Sequence, residues 1–428
     1  MPGASLAEAI VNSVASELQA DVLDRFLRYV RIDTQSDPNS KTYPSTAKQR
    51  DLSELLAREL KELGLADAAV DDHGYVFATL PGTAGPTIGL IAHVDTSPDE
   101  SGTDVSPQIV RDYDGGDIQL SGAPRRVLRP SDSTLLAARV GHDIVTTDGT
   151  TLLGADDKAG VAEIMGAVAY LVRHPEIEHA PIRIGFTVDE EVGRGVEHFD
   201  IGAFGADFAY TLDGAEIGKI DDETFSAAEV RVRVLGHSVH PGTAKGKLVN
   251  SLKLAAALVE KLPRDRLSPE TTEDREGFVH PARIVGGASE TLITFIVRDF
   301  DRERLLQHEQ LLRDLAAEIE REEPRARVEV TVEDSYRNMK EFLETRPRIL
   351  EAADEATRRV GLEPTRGAIR GGTDGAVLSA RGLLTPNIFT GGQEYHSVCE
   401  WISVQDMATS AAVVVELAKL WAEPGWRD

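Results

Sequence analysis

PIRIGFTVDEEVG, residues 181–193, is the stretch on which the fold turns. Ile182, Ile184, Phe186 and Val188 alternate with their neighbours at the period of a strand, and the run leads directly into Glu190 and Glu191. The same pattern recurs on either side. Ile88, Leu90 and Ile91 lead into His93 and Asp95, and a short strand from Phe208 to Leu212 ends at Asp213. Between them, Val161, Ile164, Met165, Val168 and Val172 mark one face of a helix that follows Asp156-Asp157-Lys158. Upstream, Val22, Leu23, Phe26, Leu27 and Val30 recur at helical spacing, as do Leu52, Leu55, Leu56, Leu60 and Leu63. Strand, helix and strand in this order predict an α/β fold, a central sheet flanked by helices.

The pattern changes near residue 222. Val230, Val232 and Val234 alternate with charged residues in a half-exposed strand, and Val249, Leu252, Ala256 and Val259 form a helix face. A strand over 291–298, a charged helix over about 301–322 and a strand over 327–332 follow. This strand–helix–strand–helix–strand block carries no acidic strand ends, and its size suits a domain. The expected organisation is 1–221 as the first segment of one domain, 222–334 as an inserted smaller α+β domain, and 335–428 as the second segment of the first.

Composition narrows the class. A chain of 428 residues exceeds one ordinary core. A net charge of −26 argues against nucleic acid or an anionic membrane surface as partner. The single cysteine, Cys399, forbids an intrachain disulfide and a cysteine-based zinc site, and suits a reducing compartment. No run of about 18 apolar residues predicts a membrane span. The N-terminal MPGASLAEAIVNSVASEL has no basic start before an apolar core, so it reads as a polar helical lead-in and not a signal peptide.

The chemistry lies in five separated segments: His93 with Asp95, Asp156-Asp157, Glu190-Glu191, Asp213, and His396 after Gly391-Gly392. Two imidazoles and several carboxylates converging on one sheet edge suit a pair of borderline divalent cations with one carboxylate bridging. The spacing His93-x-Asp95 puts both side chains on one face of a strand, because strand side chains alternate, so Asp95 can take the second imidazole N–H. Glu190 and Glu191 point to opposite sides of a strand unless the strand end twists, which lets one bind metal while the other acts as base. Asp156-Asp157 also suits a helix N-cap. Gly371-Gly372-Thr373-Asp374-Gly375 reads as a tight turn opening a helix and also lining the substrate site, and no Gly-Lys-Ser/Thr follows to make a phosphate loop.

The strings IAHVDTSPD, TLLGADDKAG, FTVDEEVG, YTLDG, HPGTAKG, IVRDFDR, RGGTDGA and FTGGQEYH resemble, in order over about residues 20–420, the peptidase T family. That family is the tripeptide aminopeptidase branch of the two-zinc exopeptidase superfamily, which includes aminoacylase and bacterial glutamate carboxypeptidase. The resemblance implies a zinc-exopeptidase-like catalytic domain with a mixed sheet, plus the inserted block as a lid and dimerisation domain. It implies two zinc ions per subunit, with cobalt or manganese as substitutes. His93, Asp156 and Asp213 would hold one ion, and Asp156, Glu191 and His396 the other. Glu190 would be the general base acting on a hydroxide shared by the metals, with Asp95 behind His93. His240 would reach across from a partner subunit's lid. Arg298, Arg370, Gly391 and Gly392 would line the peptide site. A cytoplasmic homodimer acting on short peptides is expected, with no nucleic acid and no membrane as partner. A related two-zinc dipeptidase or N-acyl amino acid deacylase is the alternative enzyme, and a metal-loaded binding protein the alternative outside enzymes. The chain departs from the family in its longer leader and in the segment from Gln393 to Glu400.

Overall fold

The computed structural model describes residues 6–427, with side chains from Val14 onward. The lead-in lies within a helix from Leu6 to Tyr29; its residues before Leu6 are outside the described range. The chain divides into two compact units. One comprises residues 1–222, 341–367 and 373–428; the other comprises 223–340 and 368–372.

The first unit is built on an eight-stranded mixed sheet. Across it run strands 69–70, 76–80, 182–187, 88–93, 208–214, 387–389, 219–224 and 365–369. The four central strands are mutually parallel: Ile88–His93 pairs with Ile182–Thr187 on one side and Phe208–Gly214 on the other, which in turn pairs with Asn387–Phe389. Parallel strands need cover on both faces, and every residue of Ile88–His93 is buried. All four central strands therefore end at the same edge of the sheet.

The helix Ala155–Arg173 packs against this sheet so closely that a Cβ on Gly160 would lie 2.0 Å from the carbonyl oxygen of Leu212. Glycine is required there by proximity. The helices Leu6–Tyr29 and Val404–Ala422 pack against it in turn, and burying each Leu, Ile or Val contributes about 1.5–3 kcal/mol. Ser403 caps the last helix by accepting from the Asp406 N–H. A second, four-stranded antiparallel sheet joins strands 392–393, 401–403, 144–146 and 108–110. Its core, with Tyr113, Leu120, Leu136, Ile144 and Trp401, lies in a region that sequence periodicity left unread. These strands are two or three residues long, too short to show a period.

The second unit is a four-stranded antiparallel sheet in the order 278–286, 290–299, 226–235, 327–336. Helices Ser251–Glu260 and Arg302–Glu322 bury one face around Val230, Val232, Ile293, Phe295, Leu312 and Ile319. The other face carries Arg231 and Arg233, paired with Glu333 and Glu290. The sequence reading missed the strand Phe278–Gly286, because Pro281 interrupts it. Proline cannot donate to a ladder and is tolerated at an edge; the register shifts between Pro281 and Arg283.

Candidate metal centre

The shared edge of the parallel strands gathers the polar ends read from the sequence. His93 is the last residue of its strand and Asp213 the penultimate residue of its own. Thr187 ends the strand that leads to Glu190 and Glu191, and Phe389 ends the one that leads to His396. Asp156 arrives from the start of the 155–173 helix, where Asp156 and Asp157 depart from helical dihedrals across a cis peptide bond.

His93 Nε2 lies 2.9 Å from Asp156 Oδ1 and 3.6 Å from Asp213 Oδ1. His396 Nε2 lies 3.3 Å from Asp156 Oδ2 and 3.0 Å from Glu191 Oε2. Each of the triads His93/Asp156/Asp213 and Asp156/Glu191/His396 offers one ligand atom per residue within 4.8 Å of the others. The Asp156 carboxylate belongs to both, one oxygen to each.

Electrostatics marks the cluster as short of positive charge. Burial opposes the charge on Asp156, yet the hydrogen bonds from His396 and His93 outweigh it and hold the carboxyl far below its ordinary range. Bonds to Asp156 and Glu191 push the His396 imidazole up to about 11. Burial, with the Asp156 charge, raises Glu191 to about 8. Burial, with the Asp213 charge, raises Glu190 well above the carboxylate range. Glu191 Oε1 is buried and has no hydrogen-bond partner among the described residues. A pair of divalent cations fits this donor set: it supplies the charge the carboxylates lack and a partner for that oxygen.

Strand alternation does not hold at Glu190 and Glu191: the strand ends at Thr187, and they open a short 3₁₀ turn, Glu190–Val192. Asp189 before it and Gly193 after it are left-handed. Asp95 holds the turn, its carboxylate accepting the N–H of Glu190 at 3.0 Å and of Glu191 at 3.2 Å. The strand ends at His93, so strand alternation does not place Asp95. The second nitrogen of His93 sits 3.1 Å from the Asp95 carbonyl oxygen and 3.4 Å from its carboxylate.

Sequence reasoning passed over several residues. Asp189 is clamped by Ser45 N–H at 2.6 Å and by a reciprocal pair with Gln49, which donates from Nε2 to its carboxylate at 2.6 Å and accepts its N–H at 3.0 Å. Asp157 accepts the His93 N–H at 3.1 Å. Asp374, at the start of a helix capped by Thr373, takes Thr187 Oγ1 at 2.7 Å. Asp157 and Asp374 lie inside motifs already noted, though without a role of their own, and Asp189 lies beside one; Ser45 and Gln49 had no local signal, since their partner is about 140 residues away.

The remaining expected residues have other surroundings. Gly391 is left-handed, at φ 96°, and a Cβ on it would press 2.7 Å from Asp406 Cβ. A Cβ on Gly392 would meet the Tyr395 ring at 2.5 Å. In the second unit, His240 is exposed, and its Nδ1 accepts the Gly242 N–H at 3.1 Å. Arg370 is committed to the carbonyl oxygens of Asp274, Glu276 and Thr272. Arg298 donates to the Arg370 carbonyl at 3.3 Å, and its Nε has no hydrogen-bond partner among the described residues.

Residues 147–420 match the family described as Peptidase family M20/M25/M40. The chain is 48% identical over 409 residues to Peptidase T of Geobacillus thermodenitrificans, covering 95% of this chain and 99% of that one. It is 49% identical over 407 residues to Peptidase T of Desulfitobacterium hafniense, covering 94% and 99%. The fold resembles the crystal structure of aminopeptidase PepT from Bacillus cereus, with TM-score 0.72, 24% identity and coverage of 95% and 99%. It also resembles a dinuclear metal binding peptidase of the M20 family from Bacillus subtilis, with TM-score 0.65, 15% identity and coverage of 95% and 99%.

Proposed function

Because the chain belongs to the M20/M25/M40 peptidase family, we propose that it is a metal-dependent aminopeptidase releasing the N-terminal residue of tripeptides. The observation that carries this reading is one carboxylate, Asp156, shared between two ligand triads, with Glu190 next to Glu191 in the same turn.

His93, Asp156 and Asp213 would hold one cation and Asp156, Glu191 and His396 the other. Two imidazoles with carboxylates favour zinc, with cobalt or manganese as substitutes. Such a pair, when bound, polarises the scissile carbonyl and lowers the pKa of a water from about 15.7 towards about 7. Glu190 is free of the triads, and Asp95 fixes its backbone. Glu190 accepts the proton of the attacking water and returns it to the leaving amine, a role worth about 10²–10⁴-fold. Asp95 orients His93 and the acid turn together.

Arg298, with its uncommitted Nε, is the better of the two arginines to grip a peptide carboxylate; Arg370 would act through its carbonyl oxygen, which accepts from the Arg298 guanidinium. Gly391 and Gly392, whose missing side chains make room for Asp406 and Tyr395, would line the peptide site by their backbone beside His396. A homodimer through the second unit is supported by its edge strand, which exposes Ile284 and Val285 at 51% and 52%. His240 from the partner subunit would stabilise the developing oxyanion, and an active monomer by light scattering would end that role. A cytoplasmic location is supported by the lone Cys399.

The decisive assay uses tripeptides with free and with acylated N-termini, before and after chelation. Hydrolysis of only the free peptide, lost on chelation and restored by zinc, is expected. Strong turnover of only the acylated peptide would move the protein to the deacylases. Glu190→Ala is expected to keep two cations per chain, by elemental analysis, while losing about 10²–10⁴-fold in activity; large metal loss would make Glu190 a ligand.

A further inference from the structure

We propose that Glu400 is the positioning residue for Asp156, and through it for both cation positions at once. Glu400 is 1% exposed. Its carboxylate accepts three main-chain N–H groups from the loop that delivers Asp156: Leu153 at 2.8 Å, Gly154 at 2.7 Å and Asp156 itself at 3.0 Å. Lys158, the cation of the same stretch, donates instead to the Ile32 carbonyl at 2.7 Å, and among the described residues no ion pair to Glu400 is formed.

The loop needs this acceptor. Leu153 and Gly154 precede the helix and Asp156 lies in its first turn, where N–H groups have no intrahelical acceptor; the first rung is Lys158 N–H to the Gly154 carbonyl at 3.3 Å. Buried N–H groups without acceptors are costly, and a carboxylate facing several of them forms a strong, charge-assisted nest. From the opposite side Asp157 accepts the His93 N–H. Asp156 is thereby fixed between the His93 strand and the Glu400 segment.

Glu400 lies four residues beyond His396, whose ring meets the Asp156 carboxylate at 3.3 Å. One short segment thus brings an imidazole to the Asp156 carboxylate and an acceptor to its backbone N–H. Because Asp156 belongs to both triads, loosening Glu400 weakens both positions together, whereas losing His396 weakens one.

The inference rests on the cation reading above. The test titrates chelator-stripped wild type, Glu400→Gln and His396→Ala with Zn²⁺ by calorimetry, with Glu309→Gln, in the second unit, as a control for replacing a buried carboxyl elsewhere. Two Zn²⁺ per wild-type chain are expected. Glu400→Gln should lower both affinities about 10–100-fold, His396→Ala one of them, and the control neither. Wild type that takes up no Zn²⁺ would defeat the cation reading; two Zn²⁺ held equally by wild type and Glu400→Gln, or a loss at one position only, would defeat the role of Glu400. If Glu400→Gln does not fold, hydrogen exchange on stripped wild type decides the matter. Slow exchange at Leu153, Gly154 and Asp156 supports a loop held before metal arrives, and fast exchange at all three overturns it.

Discussion

The two halves of the centre use the same chemistry on different supports. His93 is 2% exposed, ends a strand buried on both faces, and has its main chain tied to Asp157. His396 is 41% exposed and sits on a loop in a left-handed conformation, at φ 58°. Its second nitrogen meets Asp99 at 3.3 Å, a carboxylate whose side chain is 66% exposed. Both imidazoles address one Asp156. Ligand identity alone would make the two positions equal; their supports make the His93 side the rigid one and the His396 side the one open to water. Fixed, dehydrated ligands bind more tightly because less ordering remains to be done on binding.

The largest expected effect erases the comparison. Asp156→Ala removes the shared carboxylate, and both cations should be lost, with hydrolysis falling about 10³-fold or more, or some 4 kcal/mol of barrier. Elemental analysis of the purified variant checks it, and one tightly held cation would show that the halves do not share Asp156. Next, His396→Ala should retain one cation, and slow chelation of wild type should release the His396-side ion first, in a biphasic trace. A single phase would make the halves equivalent.

A smaller effect concerns what stands behind the exposed half. Ser410 Oγ lies 2.7 Å from both Glu163 Oε2 and the Phe389 carbonyl oxygen, which precedes the His396 loop. One hydroxyl carries one proton, so when Ser410 donates to Phe389, Glu163 must donate to Ser410 and carry a proton itself. Burial raises the Glu163 carboxyl well above its ordinary 4.5. The native state then binds this proton more tightly than the unfolded chain, so the contribution is complete below pH about 4.5 and is lost as pH rises through the raised value. Denaturant melts should show wild type losing about 1.4 kcal/mol per pH unit across that window relative to Glu163→Gln. Parallel curves for the two would place the proton elsewhere. The smallest effect is Asp99→Asn, expected to weaken the His396-side cation by less than about tenfold, because the exposed partner is solvated in any case. A larger loss would mean the outer half is more rigid than its exposure indicates.

Much of this was legible in the chain. Apolar strands running into His93, Glu190 and Asp213 announce both the sheet and the edge at which its polar ends gather, because a buried strand must be apolar along its length and can be polar only at its end. The inserted sheet also showed its period, since one of its faces meets water. The Phe278–Gly286 strand did not, as Pro281 and an exposed edge erase the signal. Nor did the short strands of the second sheet or the 3₁₀ turn at Glu190, whose geometry is set by Asp95 and Gln49 from distant parts of the chain.

The sequence by itself determined the inventory: which residues can ligate, their order, and the strands that carry them to one edge. Local periodicity and residue chemistry suffice for that. Only the tertiary structure decided that Asp156 faces both imidazoles, that Glu400 and Asp157 hold it from two sides, and that one half is buried while the other is wet. Those are contacts between residues that chain order does not bring together, and hydrogen-bond geometry and exposure exist only after folding.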